Sequence, residues 1–533
     1  MPNQLSPKTE KLVRRYKSWY SSRKKEEETS TIHIDEVAAK AASFYEKIRK
    51  VVDWKEEHLM RKAAIERRLK RRFFVEEKKE IAKPLVHELI RAGYFSNDQI
   101  PTSKIEEVKR SLDKYLYIIQ NSSKPKKETK IQLNDWFLSM AACEIEEILD
   151  PPIRQKASID FMYENLKGRI KINEGAVAIK KISEEDKDTQ LYIAIEKALF
   201  NLDDTLIGYH LLKRKFLGWK NYSDKKIKEI TENAYEIRKD VYDKLNHPLG
   251  DKFYKIAKKY NTPFLLLNDI LSDNPLENEE IIKNSEKLES LVTQKYNKRL
   301  GTLKKRLGRA AFYSTLSIFL TNILSLLALE IPISKMLTGS FNKIAILIDI
   351  LGPTSLMFLL VSTVRTPKEG NLEQVILETS KITYENGKMG AIEIKPSRKR
   401  GAISNTIITL FYILTLSLFL GGVAFIFYYV KFPPFSYIIN TIFLAVIAFT
   451  GVKIRERAKE LTIIERKESF FTFIIDIFSL PILNLGKWFS NKWKKYNILS
   501  VIFNALIDMP FSTFINFLES WRSFLKEQKE KIH

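Results

Sequence analysis

Two carboxylates stand where an ionised group has little water to solvate it. Glu330 closes the first of four long apolar runs, and Asp349 lies a turn or two inside the second, so a tight hairpin would bring them together on the external side. Ionisable side chains at membrane depth cost several kcal/mol unless paired, and they default to functional candidates such as an ion or proton route. Lys335 and Lys343, in the short connection, offer a structural alternative by capping both carboxylates at headgroup level. Asn322, Asn405 and Asn440 suit hydrogen bonds between spans, and Gly421-Gly422 suits a close-packing notch.

Outside the apolar runs the chemistry is thinner. Glu196, Asp203 and His210 recur every seven residues, which places them on one face of a single helix but about 10.5 Å apart along it. That is too far for one ion to bridge without a second helix, so they read as core or partner-facing polar residues. Glu144 and Glu147 have the spacing of one arm of a carboxylate-bridged site, yet no ExxH partner occurs, and a solvated face is expected. No GxxxxGK[ST] loop, HExxH pair or GxSxG elbow is present; His87-Glu88 continues Leu-Ile-Arg where a second histidine is needed. The lone Cys143 excludes an internal disulfide or a thiolate cluster. No cofactor or metal is expected, and catalysis is disfavoured.

The densest basic patch away from the membrane flanks is Arg67, Arg68, Lys70, Arg71 and Arg72. It could hold acidic lipid or nucleic acid, but Glu66, Glu76, Glu77 and Glu80 nearby favour a plain charged face. The net charge of +24 raises affinity for anions in general without choosing among them. Nucleic acid is the disfavoured partner.

The elements that must position these residues fall into two unlike halves, hidden by an ordinary mean hydropathy of -0.22. The runs Ala310 to Ile331, Ile344 to Val364, Ile403 to Val430 and Phe435 to Val452 are each long enough to span hydrocarbon. Basic residues collect on one side of them: Lys304, Lys305, Arg306 and Arg309 before the first, Arg398, Lys399 and Arg400 before the third, and Lys453, Arg455 and Arg457 after the fourth. Such residues favour anionic headgroups, and their bias puts both termini in the cytoplasm of a cell (inner) membrane protein. The N-terminus lacks the apolar core of a secretory signal. Two further apolar segments, 470–485 and 498–518, carry polar stripes and flank Lys487, Lys492, Lys494 and Lys495, so they read as helices in the inner interface.

Residues 1–275 form a basic, helical cytoplasmic domain, 276–309 a helical connector, 310–453 the four-span domain with a cytoplasmic loop at 365–402, and 454–533 the interfacial helices. The fold class is therefore all-α. Period 3.6 patterning predicts a long helix with modest coiled-coil character over 35–73, and others from Pro84 to Gly93, from Ser103 with Glu106 in a capping box, and over 133–149, 153–166, 184–216, 223–245 and 249–259. A small hairpin is predicted at 169–182.

The order of ALEIP, a second span and SLPILNLGKWFS resembles bacterial multi-span membrane proteins that carry no assigned function; it covers short stretches and implies no active site. The expected function is a membrane-anchored interaction or scaffold protein, binding the bilayer and a protein partner or a second copy of itself. The alternatives are an oligomeric transporter or channel subunit using Asp349 and Glu330, and a membrane-bound lipid-acting enzyme, for which Asp476 and Asp508 are too few.

Overall fold

The computed structural model describes residues 4–25, 30–34, 57–75, 80–122, 127–172, 183–221, 223–338, 343–362, 364, 366–367, 370–384, 390–394, 402–432, 434–463 and 482–489, with the isolated positions 517, 521 and 524. The described chain is all-α save for two three-residue strands, and four of its helices are long and apolar enough to cross a membrane. It is a membrane protein.

After α1 (Pro7–Lys25), a first core gathers α2 (Glu57–Val75), α3 (Ala82–Arg91), α4 (Ser103–Asn121) and α5 (Lys127–Leu149). Leu85, Val86, Leu89 and Ile90 of α3 are buried at helical spacing. Pro84 sits in its first turn, where a missing N–H is no loss, and Gly93 turns the chain away at φ 73°. The capping box expected at Ser103 does not form. Residue Thr102 precedes α4 in helical backbone geometry, without a side-chain cap bond, and its hydroxyl and N–H both donate to the Ser30 carbonyl.

The single helix expected over 184–216 is two: α7 (Glu184–Phe200) and α8 (Asp204–Lys215), preceded by α6 (Ile153–Leu166). Asn201 breaks it at φ 50°, and the Asp203 carboxylate accepts the N–H of Leu206 at 2.9 Å to start α8. Likewise 223–245 divides at Asn233 into α9 (Asp224–Glu232) and α10 (Ala234–Leu245), whereas α11 (Gly250–Asp273) runs past its expected end at 259 through Pro263.

The predicted hairpin at 169–182 is replaced by a long-range pairing. Strand β1 (Ile170–Ile172) runs parallel to β2 (Ile392–Ile394), putting Lys171 opposite Glu393 and two isoleucine pairs on either side. The remainder of the hairpin, 173–182, lies outside the described residues, as does 35–56 of the predicted first long helix.

The connector is nearly as continuous as predicted. A short α12 (Pro275–Ile282) is capped by Asn274, and Asn284 then caps α13 (Ser285–Ser325), a single helix of 41 residues that carries the first span. It passes through a π turn, Leu326–Glu330, into α14 (Ile331–Thr338); Pro332 there has no N–H to offer the α-helical ladder. The remaining spans are α15 (Lys343–Ser362), α17 (Ala402–Tyr429) and α18 (Pro434–Ala458), with α16 (Gly370–Tyr384) between the second and third.

A second core runs from Leu5, and Leu12 and Tyr16 of α1, through α6, α7, α11, α13 and α16 to Ile454, Leu461 and Ile463 at the end of the last span and beyond it. The expected loop at 365–402 thus supplies a packed helix and a strand. Asn371 of α16 donates to the Tyr296 hydroxyl at 2.9 Å and the Leu461 carbonyl at 2.8 Å, and accepts the Ile463 N–H at 2.9 Å.

Candidate functional site

In the membrane, α13, α15 and α18 pack together, and α17 leans on α18. At the loop end of this bundle the two predicted carboxylates meet. Glu330 is 6% exposed and Asp349 4%. Two other helices supply their partners. The Ser436 hydroxyl, on α18, donates to Glu330, and Asn440, one turn further on, donates to Asp349. Asn322 of α13 donates to the Asp349 main-chain carbonyl at 2.9 Å. All three donors are buried.

The lysine-capping alternative finds no support at Lys335, whose side chain is exposed and makes no ion pair with either carboxylate among the described residues. Of the three asparagines, Asn322 and Asn440 bridge helices and Asn405 is exposed. Gly421 and Gly422 have no described residue within reach, so among the described residues nothing fills the notch they form. Ser436 escaped the sequence reading; its signal was the four-residue step to Asn440 in an otherwise apolar run.

Outside the membrane a second polar centre surrounds α5. Glu144 and Glu147, expected on a solvated face, are 2% and 4% exposed. Lys114 holds both oxygens of Glu144 at 2.7 and 2.8 Å, and Tyr115 donates to it at 3.0 Å. His210 lies between Glu147, at 3.2 Å, and Glu196, at 2.5 Å, while Lys213 reaches Glu147 at 2.5 Å. The turn at Asn201 folds α8 back on α7, so residues that one straight helix would hold far apart come into contact, while Asp203 turns to Lys62 at 2.6 Å. Burial works against a charge on His210, but Glu196 and the hydrogen bonds to both carboxylates outweigh it and lift the imidazole to about 9. His210 is therefore a cation between two anions at neutral pH. Among the described residues no group of carboxylates, histidines and cysteine is arranged to hold a metal.

The basic patch is turned largely inward. Arg68, Arg71 and Arg72 converge on the Glu88 carboxylate at 2.9 to 3.0 Å, Lys70 pairs with Glu66 at 3.0 Å, and Arg67 points to the Tyr94 hydroxyl. Glu88 is half-buried, which works against its charge, yet the three guanidinium groups hold it down at about 2. Of the membrane-flanking cations, Lys304, Lys305, Arg306 and Arg309 are exposed on α13 and Lys487 is exposed on a short helix at 482–489. Arg398, Lys399, Arg400, Lys492, Lys494 and Lys495 lie outside the described residues, as do most of the two C-terminal segments. In the described piece, Gly486 rests on the Ala445 carbonyl, half-way along α18, with no room for a Cβ between them.

No family model, no curated protein and no solved structure matches this chain.

Proposed function

We propose that this is a multi-pass membrane protein of the cell (inner) membrane that presents a helical cytoplasmic domain to a protein partner, without catalysis of its own. The outer face of α10 carries the reading. Tyr235 and Tyr242, two turns apart, are 41% and 64% exposed. Arg238 between them reaches Gln132 of α5 at 3.4 Å, which brings the exposed Ile131 to the same side. Tyrosine, arginine and an aliphatic side chain left uncovered together have the composition of interface anchors. The second core supports the reading further, because it seats the extramembrane helices on the spans instead of leaving them on a flexible tether. The test is a photo-crosslinking residue at 242 in the full chain in native membranes, with 184 as control. A discrete adduct from 242 alone, lost on Tyr235→Ser, is expected; no adduct from 242 would overturn the platform.

A second reading, a self-assembled transporter or channel subunit, draws on the buried Glu330 and Asp349 pair. Four spans with one polar cluster need further copies to enclose a route, and the Gly421-Gly422 flank of α17, which no described residue covers, suits close packing against one. Proteoliposome flux abolished by Asp349→Asn is the expected result; unaltered flux removes Asp349 from any route.

A further inference from the structure

A cleft of about 320 Å³ opens where the first and last spans emerge on the basic side of the bundle. The C-terminal end of α11 forms one wall, α13 forms the other, and Leu303 and Leu461 lie at its base, with Glu460 at the rim. Its seven charged side chains fall into two sets. Arg299 grips Asp269 with two donors, and Lys295 binds Asp273, so these four neutralise one another and stiffen the walls. Lys298 and Arg306 are left over. They stand eight residues apart on α13, with Thr302 midway, so all three share one face. Neither cation has an ion-pair partner among the described residues. With Glu460 counted, the cleft keeps a net single positive charge.

Position says what the charge is for. The apolar run of the first span begins at Ala310, so Arg306 and Thr302 lie about 6 and 12 Å below it along α13, within or just beneath the layer of lipid headgroups. Half-buried Arg455 and exposed Arg457 leave the last span at the same side. A phosphodiester carries one negative charge and several acceptor oxygens, which matches two cations without ion-pair partners on one wall and the single charge left in the cleft.

We propose that this cleft binds the phosphate of an anionic membrane lipid, with Lys298 and Arg306 as its ligands, Thr302 beside them, and Arg299 held in reserve by Asp269. The site is distinct from a diffuse attraction of the basic collar to the bilayer, because Lys304 and Lys305, between the same two turns of α13, do not line it. It also does not depend on the platform reading.

The experiment is native mass spectrometry of the full chain in detergent, titrated with phosphatidylglycerol, phosphatidylethanolamine or phosphatidylcholine, and separately with soluble glycerol phosphate. One phosphatidylglycerol is expected to be retained in preference to the other two lipids. Lys298→Ala with Arg306→Ala should weaken that binding by at least about tenfold, the loss expected for two charge-assisted hydrogen bonds. Lys304→Ala with Lys305→Ala, which removes the same charge outside the cleft, should leave it unchanged, and Glu460→Gln should tighten it. Equal losses from the two double variants would reduce the effect to surface charge and overturn the site. Competition by glycerol phosphate as potent as the lipid itself would overturn the assignment to a membrane lipid. Lys298 and Arg306 have exposed side chains, and an unaltered circular dichroism spectrum of the double variant confirms that a lost lipid is not a lost fold.

Discussion

His210→Gln is expected to change both the stability of the extramembrane domain and its dependence on pH. In the folded chain the imidazole is lifted from its usual 6.5 to about 9, a difference corresponding to about 3 kcal/mol of preferential stabilisation of the folded, protonated state. The side chain is 16% exposed, so solvent screening takes away little of this. Because the folded value lies above the unfolded one, the contribution is present in full below pH 6.5, declines between 6.5 and about 9, and is gone above that. Glutamine removes the cation but leaves a hydrogen-bonding group. Glu147 would keep Lys213 at 2.5 Å, whereas Glu196, wholly buried and with one oxygen already without a hydrogen-bond partner, would lose its counter-charge. Hydrogen exchange of the α7 and α8 amides in the detergent-solubilised full chain, corrected for intrinsic rates, measures the local opening energy on either side of the window. Wild type should open about 3 kcal/mol less readily than the variant below pH 6.5, and the gap should close above pH 9. If both proteins respond to pH in parallel, His210 is not a buried cation and the electrostatic account of this centre fails.

Glu88→Gln is expected to loosen α3 from α2 by about 3 kcal/mol, and wild type should lose the same amount as pH falls from 4.5 through about 2; urea unfolding followed across that range checks both. Ser436→Ala with Asn440→Leu takes the α18 donors from Glu330 and Asp349, and should weaken the bundle by about 1–3 kcal/mol per stranded group, read in a denaturing-detergent titration. Gly486→Ala has nowhere to place its Cβ against the Ala445 carbonyl and should push the short helix off α18, lowering the melting temperature of the detergent-solubilised chain; an unaltered melting temperature would refute that contact.

The membrane half was readable because hydrocarbon imposes one rule on every residue: all four apolar runs match the helices that carry the spans, and Glu330 and Asp349 stood out as exceptions to it. The extramembrane half was harder where local pattern and tertiary demand conflict. Apolar spacing continues across Asn201 and Asn233 without a pause, so nothing in periodicity announces the left-handed Asn201 or the fold-back that brings His210 to Glu196. Glu144 and Glu147 looked solvated because their cations, Lys114, His210 and Lys213, come from other helices. The partner of Ile170–Ile172 lies 222 residues away, beyond any turn-based expectation.

The unbroken α13 sets a phase between two distant places. Tyr296, tied to Asn371, and Asn322, tied to Asp349, are 26 residues apart on one rod, about 39 Å in length and about 80° in azimuth. Neither anchor can turn about the helix axis unless the other turns with it or the rod twists. A single alanine inserted between them would swing one anchor through about 100°, while seven would nearly restore the angle but displace it by about 10.5 Å. The distance and the bearing between the extramembrane core and the buried carboxyl pair are thus written into one count of residues.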